Sequence, residues 1–177
     1  MNRQIISRED QLASFATTLD ESGRSRRQGE AYLRLQLSDS LSAILPMQQT
    51  QEVLVVPSLR LTPMPNMPPP VIGLLNHRNR VVWVVDLPHL LDLPSLPMDM
   101  PQQTIAIVRV DQQPLALAVS QIRGVIRLMP DAIQSPVGTV PAALVPYLSG
   151  CCLLDSEMLL VLDPRAIIGA DILAMRG

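Results

Sequence analysis

Short runs of aliphatic residues alternate with polar turn signals along most of the chain, and this pattern predicts β-strands. Between Ala31 and Leu37, a leucine at every second position gives the two-residue period of a strand with one buried face. The same criteria predict further strands at residues 41–45, 53–56, 104–110, 115–118 and 125–128, and two more before a helical segment that starts near Pro164. The chain is therefore predicted to be all-β with short helices.

The most informative segment lies between Val71 and Leu91. Two apolar runs rich in β-branched residues, 71–75 and 81–85, predict a β-hairpin around a polar tip. We predict a four-residue tip in which the last residue adopts the positive φ that asparagine tolerates; the tip residues are Asn76, His77, Arg78 and Asn79. Asp86 then follows as the predicted N-cap of a short helix, with Pro88 in its first turn.

An internal repeat organises the chain. Residues 73–91 align without gaps on residues 150–168, at a shift of 77 positions, so that Gly73 falls on Gly150 and Asp86 on Asp163. A looser match joins residues 47–56 to residues 119–128. Two copies are too few for a solenoid, and each copy is too long to be a solenoid repeat. The repeat instead predicts two similar small barrels of about five short strands each. The repeat also makes Asp86 and Asp163 two separate caps, not a paired-carboxylate site.

Proline and charge mark the connections and the N-terminal end. Five prolines between Leu61 and Pro70 predict an extended connection outside any ladder, with a proline-rich ligand for another domain as the alternative. Residues 1–29 are predicted to be an N-terminal helical or flexible extension. Within it, Ser7 to Leu19 favours an amphipathic helix and Gly23 to Arg27 a basic linker. Residues 30–177 would then form the domain with two β-barrel lobes.

Composition excludes several classes of function. Of the 177 residues, 47% are hydrophobic and only 2% aromatic, so aliphatic side chains must fill the core. The net charge of −2 and the scarcity of aromatic residues argue against binding to nucleic acid. No signal peptide or membrane-spanning run is visible, which predicts a cytoplasmic protein with no direct membrane insertion.

The sequence contains no recognised catalytic, cofactor or metal pattern. His77 and His89 are the only histidines, and neither stands at metal-ligand spacing from a cysteine or carboxylate. Cys151 and Cys152 are adjacent in an apolar run, and we predict buried, reduced thiols there. A thiol-dependent enzyme using one of them is the weakest alternative, because no base lies nearby in sequence. Trp83 is predicted to pack within its strand, and a groove between the lobes would suit an amphipathic helix.

The hairpin resembles the signature of the CheW-like coupling domain of bacterial chemotaxis. The matching residues are Gly73, Asn76 and Arg78, followed by Val84, Asp86 and Leu87. Residues 61–66 and 121–128 resemble flanking segments of that family, and the resemblance spans about residues 30–173. Three positions depart from the family pattern: His77 replaces leucine, Asn79 replaces the turn glycine and Trp83 replaces a proline. These departures suggest a divergent member with altered partners.

The resemblance implies a non-enzymatic adaptor with two intertwined five-stranded SH3-like β-barrels and no cofactor. Its partners would be the regulatory domain of a CheA-type histidine kinase and the cytoplasmic hairpin tip of a chemoreceptor, which would bring the protein to membrane-associated receptor arrays. The output would be chemotaxis, phototaxis or pilus-based motility. An orphan competitor or modulator of array assembly is the alternative. The candidate partner-binding residues are Asn76, His77, Arg78, Asn79 and Trp83; Arg78 is either functionally sensitive or a structural donor inside the barrel.

Overall fold

The computed structural model describes residues 29–176, which contain eleven strands and two short α-helices. The strands are β1 Glu30–Ser38, β2 Leu41–Pro46, β3 Thr50–Pro57, β4 Leu61–Thr62, β5 Val71–His77, β6 Arg80–Asp86, β7 Gln102–Val110, β8 Gln113–Val119, β9 Gln121–Leu128, β10 Leu148–Leu154 and β11 Glu157–Leu162. The helices are α1 Leu87–Leu90 and α2 Pro164–Ile168, and a 3₁₀ segment, Asp171–Arg176, follows α2. None of the helices in this range is long and apolar enough to cross a membrane.

The strands form two curled sheets, as expected for two SH3-like barrels. One sheet has the order β10-β11-β2-β1-β9, and the other has the order β3-β7-β8-β6-β5-β4; we call them lobe A and lobe B. Most neighbouring strands are antiparallel, whereas β11 runs parallel to β2 and β6 runs parallel to β8. The predicted all-β, two-lobe architecture is confirmed, with six strands rather than five in lobe B.

The sequence repeat is present in the hydrogen-bond register. In the β5–β6 hairpin, Val71 pairs with Val85 and a bulge precedes Gly73. In the β10–β11 hairpin the pairs Leu148–Leu162 and Gly150–Val161 reproduce this register at the same shift of 77 positions. The β1–β2 and β7–β8 hairpins correspond at their turns, where the pair Ser38–Leu41 falls on Val110–Gln113 at a shift of 72, and a bulge in β1 offsets the remaining pairs by one residue.

The two repeats exchange strands. Lobe A combines β1 and β2 from the first repeat with β9, β10 and β11 from the second. Lobe B combines the remaining strands of the first repeat with β7 and β8 from the second. Neither half of the sequence therefore forms a lobe by itself, and the lobes are intertwined.

Buried aliphatic residues form three clusters, one inside each lobe and a larger one between the lobes. The alternation along β8 shows how: Leu115 and Leu117 face the inter-lobe cluster, while Ala116 and Ala118 face the interior of lobe B. Strand β11 alternates likewise between the inter-lobe cluster and lobe A. Because both faces of these strands are buried, their sequences read as continuous apolar runs.

The predicted strands are all present, with longer bounds than predicted. The prediction for β9 started too late because a bulge interrupts its pairing with β1 near Gly124, whose φ is +100°. The proline-rich connection was predicted to lie outside any ladder, and this is wrong for its first two residues, which form β4 and pair with β5. The predicted elements within residues 1–28 lie outside the described residues.

Candidate partner-binding site

The β5–β6 hairpin ends in a two-residue turn, so the predicted four-residue tip is wrong. His77 pairs with Arg80, which leaves Arg78 and Asn79 as the turn. Both have positive φ, 50° and 61°, as a type I′ turn requires. The prediction for Asn79 is confirmed, whereas the positive φ of Arg78 was not predicted, because arginine carries no preference for that conformation.

The turn brings only some of the candidate residues together. The Arg78 side chain is 70% exposed, which excludes the alternative that it lies inside the barrel. His77 beside it is largely buried, and Asn76 and Asn79 are exposed. Trp83 stands opposite Leu74 farther down the hairpin, where it is half-buried against the inter-lobe cluster. The structure therefore groups His77, Arg78 and Asn79 at the tip and leaves Trp83 with the core.

A residue that the sequence did not indicate, Glu52, organises this tip. Its Oε1 accepts a hydrogen bond from Arg78 Nη2 at 3.0 Å, and its Oε2 lies 3.0 Å from His77 Nε2. Glu52 belongs to β3, at one edge of lobe B, while His77 belongs to β5, near the opposite edge. The carboxylate therefore links the two edges at this end of the barrel. A single acid within a largely apolar strand, 25 residues before His77, carries no pattern that predicts this contact.

The rim around Glu52 carries more positive than negative charge. Arg60 donates a hydrogen bond to the Asn76 carbonyl at 3.1 Å, and Arg80 is exposed at the start of β6. Val81 beside it is 62% exposed and adds an apolar contact surface. An exposed ion pair such as Arg78–Glu52 contributes only about 0–1 kcal/mol to stability. Arg78 can therefore turn toward an acidic partner group at little cost to the fold.

Asp86 and Asp163 are two equivalent helix caps, as predicted. Asp86 is fully buried and accepts backbone hydrogen bonds from His89 at 2.9 Å and from Leu96 at 2.8 Å. Asp163 accepts from the backbone of Arg165 at 2.9 Å and of Ala166 at 3.3 Å. Only Asp86 therefore also fixes a loop, the segment between α1 and β7.

That loop forms one wall of a cleft of about 500 Å³ at the junction of the lobes. The lining also includes the end of β1, at Leu37 to Asp39, and the residues Gln102 and Ser120. Among the described residues that line the cleft, only Asp39 is charged. The groove expected between the lobes is present here, although no sequence signal located it.

The cysteines do not resemble a catalytic site. Both are buried free thiols, and burial raises the pKa of Cys152 above its ordinary value, which favours the unreactive protonated form. The Cys151 thiol lies 3.7 Å from the Ser135 carbonyl, which is not a base. Within residues 29–176, no group of three or more histidine, cysteine or acidic side chains is placed to hold a metal ion.

Comparison with known proteins agrees with this architecture. The family profile described as "CheW-like domain" matches residues 31–171, which is most of the chain. A search of curated proteins finds no significant match. Among solved structures, the chain is similar to the scaffolding protein TtCheW from Thermoanaerobacter tengcongensis, with 20% identity, a TM-score of 0.68, and coverage of 77% of this chain and 90% of the other. The profile match and the intertwined two-lobe fold together show that this chain belongs to the CheW-like family.

Proposed function

We propose that this chain is a non-enzymatic signalling adaptor that couples the cytoplasmic tip of a chemoreceptor to the regulatory domain of a CheA-type histidine kinase. The observation that carries the proposal is the CheW-like match over residues 31–171. In the resemblance drawn from the sequence, members of this family bridge those two partners. TtCheW, which shares the fold, is itself described as a scaffolding protein.

The fold suits an adaptor because two separated surfaces are held in fixed geometry. The hairpin tip with Arg78 lies at one end of lobe B, and the cleft lies at the junction of the lobes. The large apolar cluster between the lobes joins the two surfaces through packed side chains. A close-packed core is poorly compressible, so binding at one surface fixes where the other is presented.

The hairpin tip is our proposed contact for one partner, with Arg78 as its most exposed charged group. His77, Asn79 and Asn76 shape the turn, while Trp83 lies farther down the hairpin against the inter-lobe cluster. An exposed guanidinium is suited to bidentate hydrogen bonding with a carboxylate of the partner. Loss of one such contact commonly weakens binding by about 1–3 kcal/mol, or roughly five- to a hundredfold.

Binding measurements with purified components test this proposal. The full chain is titrated with the kinase regulatory domain and, separately, with the receptor tip from the same organism. Arg78→Ala is expected to weaken binding to at least one of them. Arg127→Ala is the matched control, because Arg127 is also exposed and makes one hydrogen bond, to the Gly29 carbonyl. If the unaltered chain binds neither partner, the adaptor proposal is contradicted.

In the alternative, the chain has the same fold but competes for the kinase site without bridging to a receptor. The contact between His77 and Glu52 supports it, since His77 departs from the family pattern at the proposed partner surface. Kinase activity in the presence of receptor and this chain separates the two functions. An adaptor raises receptor-dependent phosphorylation when it is added in amounts up to those of the kinase and receptor, whereas a competitor added to an assembled array in the same amounts lowers it.

A further inference from the structure

The repeat places two equivalent aspartates beside two equivalent helices, and only one of them has a partner. Asp39 begins the β1–β2 turn and Asp111 begins the β7–β8 turn, at the same shift of 72 positions that relates these hairpins. Helix α1 packs on β1 as α2 packs on β7. Arg165 of α2 donates a hydrogen bond to the Asp111 carboxylate. The position of α1 equivalent to Arg165 is Pro88, which has no charge to offer.

Asp39 therefore occupies the position that Asp111 occupies in the second repeat, where the aspartate pairs with an arginine. In the described part of the chain, no side chain or backbone group donates a hydrogen bond to its carboxylate, and the residue is exposed. It is one of the residues that line the inter-lobe cleft, and the lining formed by residues 29–176 includes no arginine or histidine. The other polar groups of the lining are hydroxyls and amides, such as Ser95 and Gln102, whose oxygens accept hydrogen bonds.

We propose that this cleft receives an arginine side chain from a partner protein and that its guanidinium pairs with Asp39. The pair would reproduce, between two molecules, the contact that Arg165 and Asp111 make within this one. A guanidinium offers five donors in a planar fork, which matches a carboxylate flanked by neutral acceptors. The volume of about 500 Å³ accommodates such a side chain together with neighbouring apolar atoms of its segment.

The basic segment that precedes the domain is too close to Gly29 to fill the cleft. Asp39 follows the nine residues of β1, so it lies roughly 27 Å from the point where that segment joins the domain. Arg24 is five residues from Gly29, and five fully extended residues span at most about 18 Å; Arg26 and Arg27 are closer still to Gly29. Only Arg3 and Arg8 are far enough away along the chain, and they enter the test below.

Titration with a small probe tests the chemistry of the cleft without any protein partner. Acetyl-arginine amide is added to the isotope-labelled full chain while backbone amide shifts are followed. We expect shifts at Ser38, Asp39 and Ser120 that are absent with acetyl-citrulline amide, which has the same shape without the charge. Asp39→Asn should abolish them, while Asp155→Asn, an exposed turn aspartate in lobe A, should not. Equal responses to the two probes, or an unchanged response of Asp39→Asn, would overturn the proposal.

A second set of variants identifies the occupant. If the arginine probe binds only after Arg3→Ala and Arg8→Ala are introduced, the chain fills its own cleft, and the proposal of a partner is wrong. The identity of the partner rests on the proposed function, so affinities for the kinase regulatory domain and the receptor tip are measured as well. Asp39→Arg should weaken at least one of them about tenfold or more, because like charges would face each other.

The two proposals fail differently in these measurements. Unaltered binding of both partners by Asp39→Arg overturns the inference about the cleft and leaves the adaptor function standing. Absence of partner binding by the unaltered chain overturns the adaptor function, and the arginine probe still decides whether the cleft recognises a guanidinium.

Discussion

Replacement of Asp86 by alanine should destabilise the protein far more than replacement of its repeat equivalent, Asp163. Asp86 is 1% exposed, and its two carboxylate oxygens accept separate backbone hydrogen bonds, from His89 and from Leu96. Asp163 uses one oxygen, and both of its bonds stay within its own helix. The comparison thus separates a simple helix cap from a cap that also fixes a loop.

The expected free energies follow from the groups left without partners. Loss of an ordinary N-cap costs about 1 kcal/mol, which is our expectation for Asp163→Ala. Asp86→Ala also leaves the partly buried Leu96 N–H without its acceptor, and a hydrogen bond to a charged group is worth about 1.5–3 kcal/mol. We therefore expect a loss of about 3 kcal/mol for Asp86→Ala. For a chain of this length, this corresponds to a decrease in melting temperature of roughly 6–12 °C.

Urea unfolding at neutral pH measures both variants, with equal slopes required for the comparison. Asp86→Asn provides a finer test, since its amide retains one oxygen acceptor and turns an N–H₂ group toward the other backbone donor. The decrease in the free energy of unfolding caused by Asp86→Asn should lie between the decreases caused by Asp163→Ala and Asp86→Ala. Hydrogen exchange at the Leu96 amide should become faster. If Asp163→Ala costs as much as Asp86→Ala, within about 0.5 kcal/mol, the role assigned to Leu96 is refuted.

Three further predictions concern other parts of the fold. Hydrogen bonds from Ser42 and Arg34 lower the pKa of Glu157. The contribution of Glu157 to folding stability is therefore complete above its ordinary pKa and is lost as pH falls through the lowered value. In urea unfolding, Glu157→Gln should be less stable than the unaltered protein at pH 7, and the two stabilities should converge in acid. Gly73→Ala should lower the free energy of unfolding by more than about 1 kcal/mol, since φ is +148° and a Cβ would lie 2.5 Å from the Thr62 carbonyl oxygen. A urea midpoint unchanged from that of the unaltered protein would contradict this geometry. Burial should protect Cys151 and Cys152 from thiol reagents until the protein unfolds, and the double serine variant should retain partner binding if the thiols have no catalytic role.

Local signals in the sequence were sufficient to predict most of the secondary structure. The cap at Asp86 was predicted because the capping residue and Pro88 are adjacent to the helix that they begin. The hairpin tip was predicted less well, because His77 has no turn preference and its place in β5 depends on pairing with Arg80. Strand bounds near Gly124 were missed for a similar reason, since a bulge depends on the partner strand.

The candidate site was predicted only in part, because its geometry depends on contacts between distant residues. Arg78 was singled out from the sequence as a candidate, and its partner Glu52 lies on a strand that meets the hairpin only when the barrel closes. The inter-lobe cleft depends on the loop that Asp86 holds through Leu96. Neither contact has a periodic pattern that a single sequence could reveal.

The exchange of strands between the repeats has a consequence for how an adaptor of this kind can work. Lobe A takes its strands from both ends of the described chain, whereas lobe B is the continuous segment from β3 to β8 between them. The inter-lobe cluster couples the two lobes, because strands such as β8 and β11 are buried on both faces. Separation of the lobes would expose much of that apolar surface at about 25 cal/mol per Å². The lobes should therefore unfold in one cooperative transition, and the hairpin tip and the cleft should keep a fixed relative position when a partner binds.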